Sequence, residues 1–143
     1  MKISTKCRYG IRALVEIAKN SSSSPMTRSS IAKSQGIPDS YLENILIALK
    51  HGNIVTSIRG AGGGFILSRP PEEIDLLDVY EVLQGSITLL DCVDCPEVCD
   101  RSGNCVVRPV WLEMQEAQKA VLRSKSIKNL IEMEQIAEEA KRK

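Results

Sequence analysis

The stretch Ile31-Ala32-Lys33-Ser34-Gln35-Gly36-Ile37-Pro38-Asp39-Ser40-Tyr41-Leu42-Glu43-Asn44-Ile45-Leu46 decides how the chain is read. Ala32 stands four residues before Gly36, and Ile37, Leu42 and Ile45 follow, which is the spacing of two short helices joined by a tight turn. Ala32 lets the helices approach, Gly36 turns without steric cost, and the apolar positions lock the second helix onto the first. Thr27 is placed to cap the first of these helices, and Pro38 fits the first turn of the second. On the second helix Leu42, Ile45, Leu46 and Leu49 form one apolar stripe, leaving Asp39, Ser40, Glu43, Asn44 and Ile47 pointing elsewhere. In a helix-turn-helix that outer face enters a major groove about 12 Å wide. Ser40, Tyr41 and Asn44 are the candidates for base edges or phosphates. Glu43 is repelled by phosphates, so its place there suits a carboxylate that accepts from a cytosine amino group or penalises wrong sites. A helical hairpin in an ordinary core would show the same spacing, and the next element separates the two readings.

That element is a pair of strand-like runs, Ile54-Val55-Thr56-Ser57-Ile58-Arg59 and Phe65-Ile66-Leu67-Ser68, joined by Gly60-Ala61-Gly62-Gly63-Gly64. A phosphate-cradling glycine loop should open a helix, and this one opens a strand, which argues against a nucleotide site. A hairpin directly after a recognition helix reads as the wing of a winged helix. Gly60, Gly62 and Gly63 let backbone amides near phosphates, and Arg59 can reach a narrow minor groove. With Arg28 at the start of the second helix, the expected DNA-contacting set is Arg28, Ser40, Tyr41, Glu43, Asn44, Arg59, Gly60, Gly62 and Gly63.

Outward from this unit, Cys7, Ile11, Leu14 and Ala18 recur at helical spacing until the polar run Asn20-Ser21-Ser22-Ser23-Ser24-Pro25. After Pro70-Pro71, the positions Ile74, Leu77, Val79, Tyr80, Val82 and Leu83 predict a short helix ending near Gly85. Residues 88 to 105 lack periodicity and read as a loop. Beyond Pro109 the chain is helical again, with Val107, Met114 and Val121 seven apart and Val110 and Ala117 offset by three, the spacing of a helix seeking a partner helix. Ser126 caps a last helix, and Lys141-Arg142-Lys143 reads as a disordered tail. The expected division is a DNA-binding domain at 1–70, a connecting helix at 71–87, a cysteine-rich loop at 88–106, and a dimerisation helix with a C-terminal helix at 107–143. The expected fold class is mostly α with a small β-hairpin: a winged helix-turn-helix with a long dimerisation helix.

Composition agrees with that size. The 143 residues are 43% apolar but only 3% aromatic, enough for one core built on Leu, Ile, Val and Ala. No apolar run approaches the roughly 20 residues of a membrane span, and the start lacks the apolar stretch of a secretory signal, so a cytoplasmic protein with no membrane partner is expected. The net charge of +1 averages two unlike halves: residues 1–70 carry ten Lys or Arg against Glu16, Asp39 and Glu43, a net +7, and the remainder carries −6. A basic N-terminal half suits phosphate neutralisation on one defined face. No paired carboxylates, nucleophile–base constellation or nucleotide loop points to an enzyme.

Four of the five cysteines, Cys92, Cys95, Cys99 and Cys105, are spaced C-x2-C-x3-C-x5-C within 14 residues. In a reducing compartment such density indicates metal or redox chemistry rather than structural disulfides. The widening intervals match neither paired zinc knuckles nor a Cys2His2 finger, and the only histidine, His51, lies at the end of the recognition helix. Soft thiolates on a flexible loop suit an iron-sulfur cluster, with zinc and redox thiols as the alternatives. Cys7, on the apolar face of the first helix, reads as core filler.

Met1-Lys2-Ile3-Ser4 with Arg8-Tyr9, Gly36-Ile37 with Ser40-Tyr41-Leu42-Glu43, Ser57-Ile58-Arg59-Gly60 with Gly62-Gly63-Gly64-Phe65, and late cysteines preceding Trp111 together resemble the IscR-type family of winged-helix regulators, which includes NsrR and CymR. The resemblance spans nearly the whole chain. It implies a homodimer crossed through the long helix after the cysteine loop, and binding to double-stranded DNA through Ser40 to Asn44 and Arg59. It also implies ligation of a 2Fe-2S cluster by Cys92, Cys99 and Cys105. In IscR the fourth ligand is a histidine three residues after the last cysteine; here that position is Arg108, and Cys95 is the natural replacement. Nitric-oxide-sensing relatives use an acidic residue near the first helix, where this chain has Arg8. The function implied is a transcriptional regulator sensing iron-sulfur status or redox stress, and the alternative is a cluster-free or zinc-binding repressor of cysteine metabolism.

Overall fold

The computed structural model describes residues 1–20 and 24–143, so the reading of Ser21 to Ser23 as loop lies outside the described residues. Helix α1 (Thr5–Asn20) buries Cys7, Ala13, Leu14 and Ile17 on one face. Thr27 caps α2 (Arg28–Gln35), its hydroxyl accepting from the Ser30 amide. Gly36 then adopts φ +62°, a left-handed conformation that a side chain at this turn would resist, and its amide closes on the Ala32 carbonyl. Helix α3 (Asp39–His51) follows, burying Leu42, Ile45, Leu46 and Leu49.

Strands β1 (Val55–Ile58) and β2 (Gly64–Leu67) pair antiparallel, with Val55 opposite Leu67 and Ile58 opposite Gly64. The hairpin is anchored to the segment before α2: Met26 N–H donates to Phe65 O at 3.0 Å and Phe65 N–H to Met26 O at 2.7 Å. This approach explains Gly64, where a Cβ would lie 2.4 Å from the Met26 carbonyl oxygen. The wing is thereby tied to the base of the helix-turn-helix.

Helix α4 (Leu76–Gln84) starts on the Asp75 cap and ends at Gly85. Helix α6 (Arg108–Arg123) and helix α7 (Ile127–Arg142) complete the chain, with the one-turn helix α5 (Asp91–Asp94) between α4 and α6. Ser126 and Asn129 form a reciprocal capping box at the start of α7. Helix α7 folds back on α1, where Lys19 Nζ lies 2.9 Å from Glu134 and 3.5 Å from Glu16. Ile127 is fully buried with Leu14, Ile17, Ile31, Leu42, Leu49 and Ile74 in one core. Fully burying each such side chain is worth about 1.5–3 kcal/mol.

Two readings need correction. Residues 88–105 are not wholly irregular: α5 and two 3-10 turns, Pro96–Val98 and Ser102–Asn104, are too short to leave a periodic signature. Lys141 and Arg142 continue α7 rather than forming a tail, since Glu138 stands four residues before Arg142 and cations suit a helix C-terminus. Among the described residues no helix is long and apolar enough to cross a membrane.

Candidate nucleic-acid interface and cysteine loop

Because Leu42, Ile45, Leu46 and Leu49 are spent on the core, the opposite face of α3 is exposed over Asp39, Ser40, Glu43, Asn44, Ile47 and Lys50. The side chains of Ser40 and Asn44 make no hydrogen bond to the rest of the chain among the described residues, leaving their donors and acceptors for another molecule. Tyr41 differs. Its ring packs edge-on against Tyr9 of α1, centroids 5.7 Å apart, and Arg12 lies 5.4 Å from the centre of the Tyr9 ring. Tyr41 therefore fixes the recognition helix on α1 as well as presenting part of itself to solvent.

Arg28 and Glu43 are not independent groups. Arg28 Nη1 lies 2.9 Å from Glu43 Oε1, and Nη2 lies 3.0 Å from Asp39 Oδ2. One guanidinium from α2 thus bridges two carboxylates of the recognition helix and offsets much of the negative charge on its outer face. Sequence patterning places each residue on its helix but carries no signal for a pairing across the turn.

On the wing, Arg59, Gly60 and Gly62 are exposed. Gly63 has a structural duty: its amide donates to Gly60 O at 3.0 Å, and a Cβ there would meet the Ile58 carbonyl at 2.3 Å. Between wing and recognition helix lies a cleft of about 230 Å³ lined by Arg28, Glu43, Leu46, Ile47, Lys50, Ser57 and Phe65. Neither Ile47 nor Lys50 is in the expected reading set, although both fall on the helical stripe that carries Glu43.

The cysteine loop is attached to α6 by polar side chains. Arg108 donates to the carbonyls of Cys92 at 2.8 Å and Val93 at 2.9 Å, taking up acceptors that α5 leaves open at its end. Gln115, the buried polar residue of α6, accepts from the Leu89 amide at 3.0 Å and donates to Asp94 at 2.8 Å. Asp94 also accepts from Thr88, and the bonds from Thr88 and Gln115 hold its carboxyl below the usual range. All five cysteines are free thiols. Cys92 and Cys105 are half-buried at the two ends of the loop, while Cys95 and Cys99 are exposed. Among the described residues no three His, Cys, Asp or Glu side chains converge as a metal cage. Cys7 lies apart in the core beside Leu77, Tyr80 and Ile87, where burial pushes its thiol up.

Helix α6 has two faces. Trp111, Leu112, Gln115 and Leu122 turn toward the body of the protein, whereas Val110, Met114, Ala117 and Val121 are exposed, Met114 at 45% and Val121 at 64%.

Comparison with known proteins accords with this architecture. The CymR regulator of Bacillus subtilis (strain 168) is 35% identical over 130 residues, covering 91% of this chain and 89% of that one. Its solved structure, described as the global cysteine regulator, superposes with a TM-score of 0.78. The IscR regulator of Xenorhabdus nematophila is 29% identical over 142 residues, covering 99% of this chain and 86% of that one. The structure of T. potens IscR gives a TM-score of 0.78 at 31% identity, covering 96% of this chain and 90% of that one. These relatives are transcriptional regulators, not enzymes, and the hairpin beside α3 is the wing of a winged helix. The Rrf2 family model, described as iron-dependent transcriptional regulators, matches residues 3–133, and the chain belongs to that family.

Proposed function

We propose that this regulator acts as a homodimer that reads two half-sites of double-stranded DNA and senses iron-sulfur supply or redox stress through a cluster held by its cysteine loop. The observation that carries the sensing is the set of four free thiols on a loop whose first turn is fastened to α6, so that a change in the loop acts directly on that helix. The donor set suits a soft metal centre, and the T. potens and Xenorhabdus nematophila relatives are named IscR. The thiols are not gathered in this conformation, so cluster binding would be coupled to closure of the loop. Cys92, Cys99 and Cys105 are the proposed ligands, with Cys95 as the fourth. Arg108 is positively charged and already engaged by the Cys92 and Val93 carbonyls, and so serves as a strut and not as a ligand. An all-thiolate site is more electron-rich than one with an imidazole and should have a lower reduction potential.

Dimerisation is supported by the exposed face of α6, where Val110, Met114, Ala117 and Val121 repeat at the spacing of a helix–helix seam. DNA contact is assigned to Arg28, Ser40, Tyr41, Glu43, Asn44 and Lys50 on the helices and to Arg59, Gly60, Gly62 and Gly63 on the wing. A second reading, a cluster-free repressor of cysteine metabolism, is favoured by the likeness to CymR. Absorption spectroscopy with iron, sulfide and zinc analysis of anaerobically purified protein separates the readings. Visible absorption with stoichiometric iron and sulfide supports the cluster; zinc alone, or no metal, supports the alternative.

A further inference from the structure

The cleft between α3 and the wing combines two features that are unusual together on a surface meant for phosphates. Its rim is charged, with Lys50 and the Arg28–Glu43 pair, and its floor is apolar, formed by Leu46, Ile47 and Phe65. Leu46 belongs to the core and Phe65 is half-buried by the Met26 bridge, but Ile47 is 48% exposed. It stands one helical turn beyond Glu43 and Asn44, on the same outward stripe. Leaving an isoleucine half in water forgoes burial that a polar side chain would not forgo, and among the described residues nothing else covers it.

In the major groove of duplex DNA, the apolar group that base edges present is the C5-methyl of thymine. A phosphate or sugar would suit Lys50 but not the Ile47 floor. A methyl carried on a base between two charged backbones suits both. The geometry points to Ile47 as a specificity-determining residue that seats one thymine methyl per half-site in this cleft, with Lys50 neutralising the adjacent phosphate. The inference rests on the DNA-reading surface proposed above and is continuous with it along α3. It adds a contact to the thymine methyl, which the hydrogen-bonding residues Ser40, Glu43 and Asn44 do not sense.

The experiment begins with selection of preferred duplexes from a random library by the full-length protein. Each thymine of the selected site is then replaced in turn by deoxyuridine, which removes the methyl and leaves base pairing intact. Wild-type protein should lose about four-fold in affinity at one thymine per half-site, the ratio given by ~0.8 kcal/mol for one buried methyl-sized group. Ile47→Ala should bind thymine and deoxyuridine equally there while keeping wild-type preferences elsewhere, and Ile47→Val should retain part of the discrimination. If selection finds no preferred site, the DNA-reading proposal itself fails. If a site is found but no thymine is sensitive, or the sensitivity survives Ile47→Ala, the assignment to Ile47 is overturned. A changed oligomeric state in Ile47→Ala with unaltered base preference would also overturn it, in favour of a second copy of the chain on this face.

Discussion

Arg28 of α2 holds Glu43 of the recognition helix at 2.9 Å while also gripping Asp39, so the charge on the outer face of α3 is set by a residue on another helix. All three side chains are substantially exposed, and such solvent-screened pairs contribute little to stability. On the proposed DNA-reading surface, their consequence lies in recognition.

Glu43→Ala should broaden site choice, because it removes the carboxylate proposed to penalise wrong sites and frees one arm of the Arg28 guanidinium toward phosphates while Asp39 keeps the other. Binding to random duplex should strengthen, and the dependence of log affinity on log salt should steepen by about one unit per released cation. Competitive selection on a randomised library at two salt concentrations reads both effects. An unchanged base preference would remove Glu43 from discrimination.

Arg108→Ala should detach the end of α5 from α6. Two hydrogen bonds from a charged donor are lost at half-buried carbonyls, which should cost about 1–3 kcal/mol. Amide hydrogen exchange at residues 91 to 95 should accelerate with little change in α1 to α3. Equal protection in the variant would show that the loop is held by other contacts.

Acid should release the same loop through Asp94. Hydrogen bonds from Thr88 and Gln115 favour its ionised form and depress its pKa in the folded protein. The stabilisation is therefore complete above the ordinary aspartate value of about 4 and is lost as pH falls through the lower folded value. Trp111, which lines a small apolar hollow with Leu89, Leu90 and Met114, reports on the loop. Its emission should change in this acid range in wild-type protein, and Asp94→Asn should abolish that step because the group no longer titrates.

The exposed seam of α6 predicts the assembly. Met114→Glu with Val121→Glu should shift the protein from dimer to monomer in light scattering and weaken binding to two-half-site DNA by at least tenfold. Binding to a single half-site should change much less. A double variant that remains dimeric would place the subunit contact elsewhere.

The helix-turn-helix was legible because its determinants are local: a glycine at a left-handed turn, a small residue four before it, and one apolar stripe on α3. The wing was legible from its glycines, although the Met26 bridge that makes Gly64 necessary joins residues far apart in sequence. The inner face of α6 was harder to see. The apolar repeat of this helix marked its exposed face, whereas Arg108 and Gln115, which do the holding, read as ordinary polar residues until α5 lies against them. The one-turn α5 leaves no period at all, so the cysteine spacing was visible and its attachment was not. Glu43 was correctly placed on the outer face, but its partner Arg28 comes from across the turn, where no sequence period reaches.

The most direct measurement is competition binding of the purified regulator, with and without metal, between its best selected fragment and random duplex at moderate ionic strength. A preference of about a thousandfold or more is expected for a specific dimeric reader. Equal affinity for both duplexes in every metal state would contradict the account.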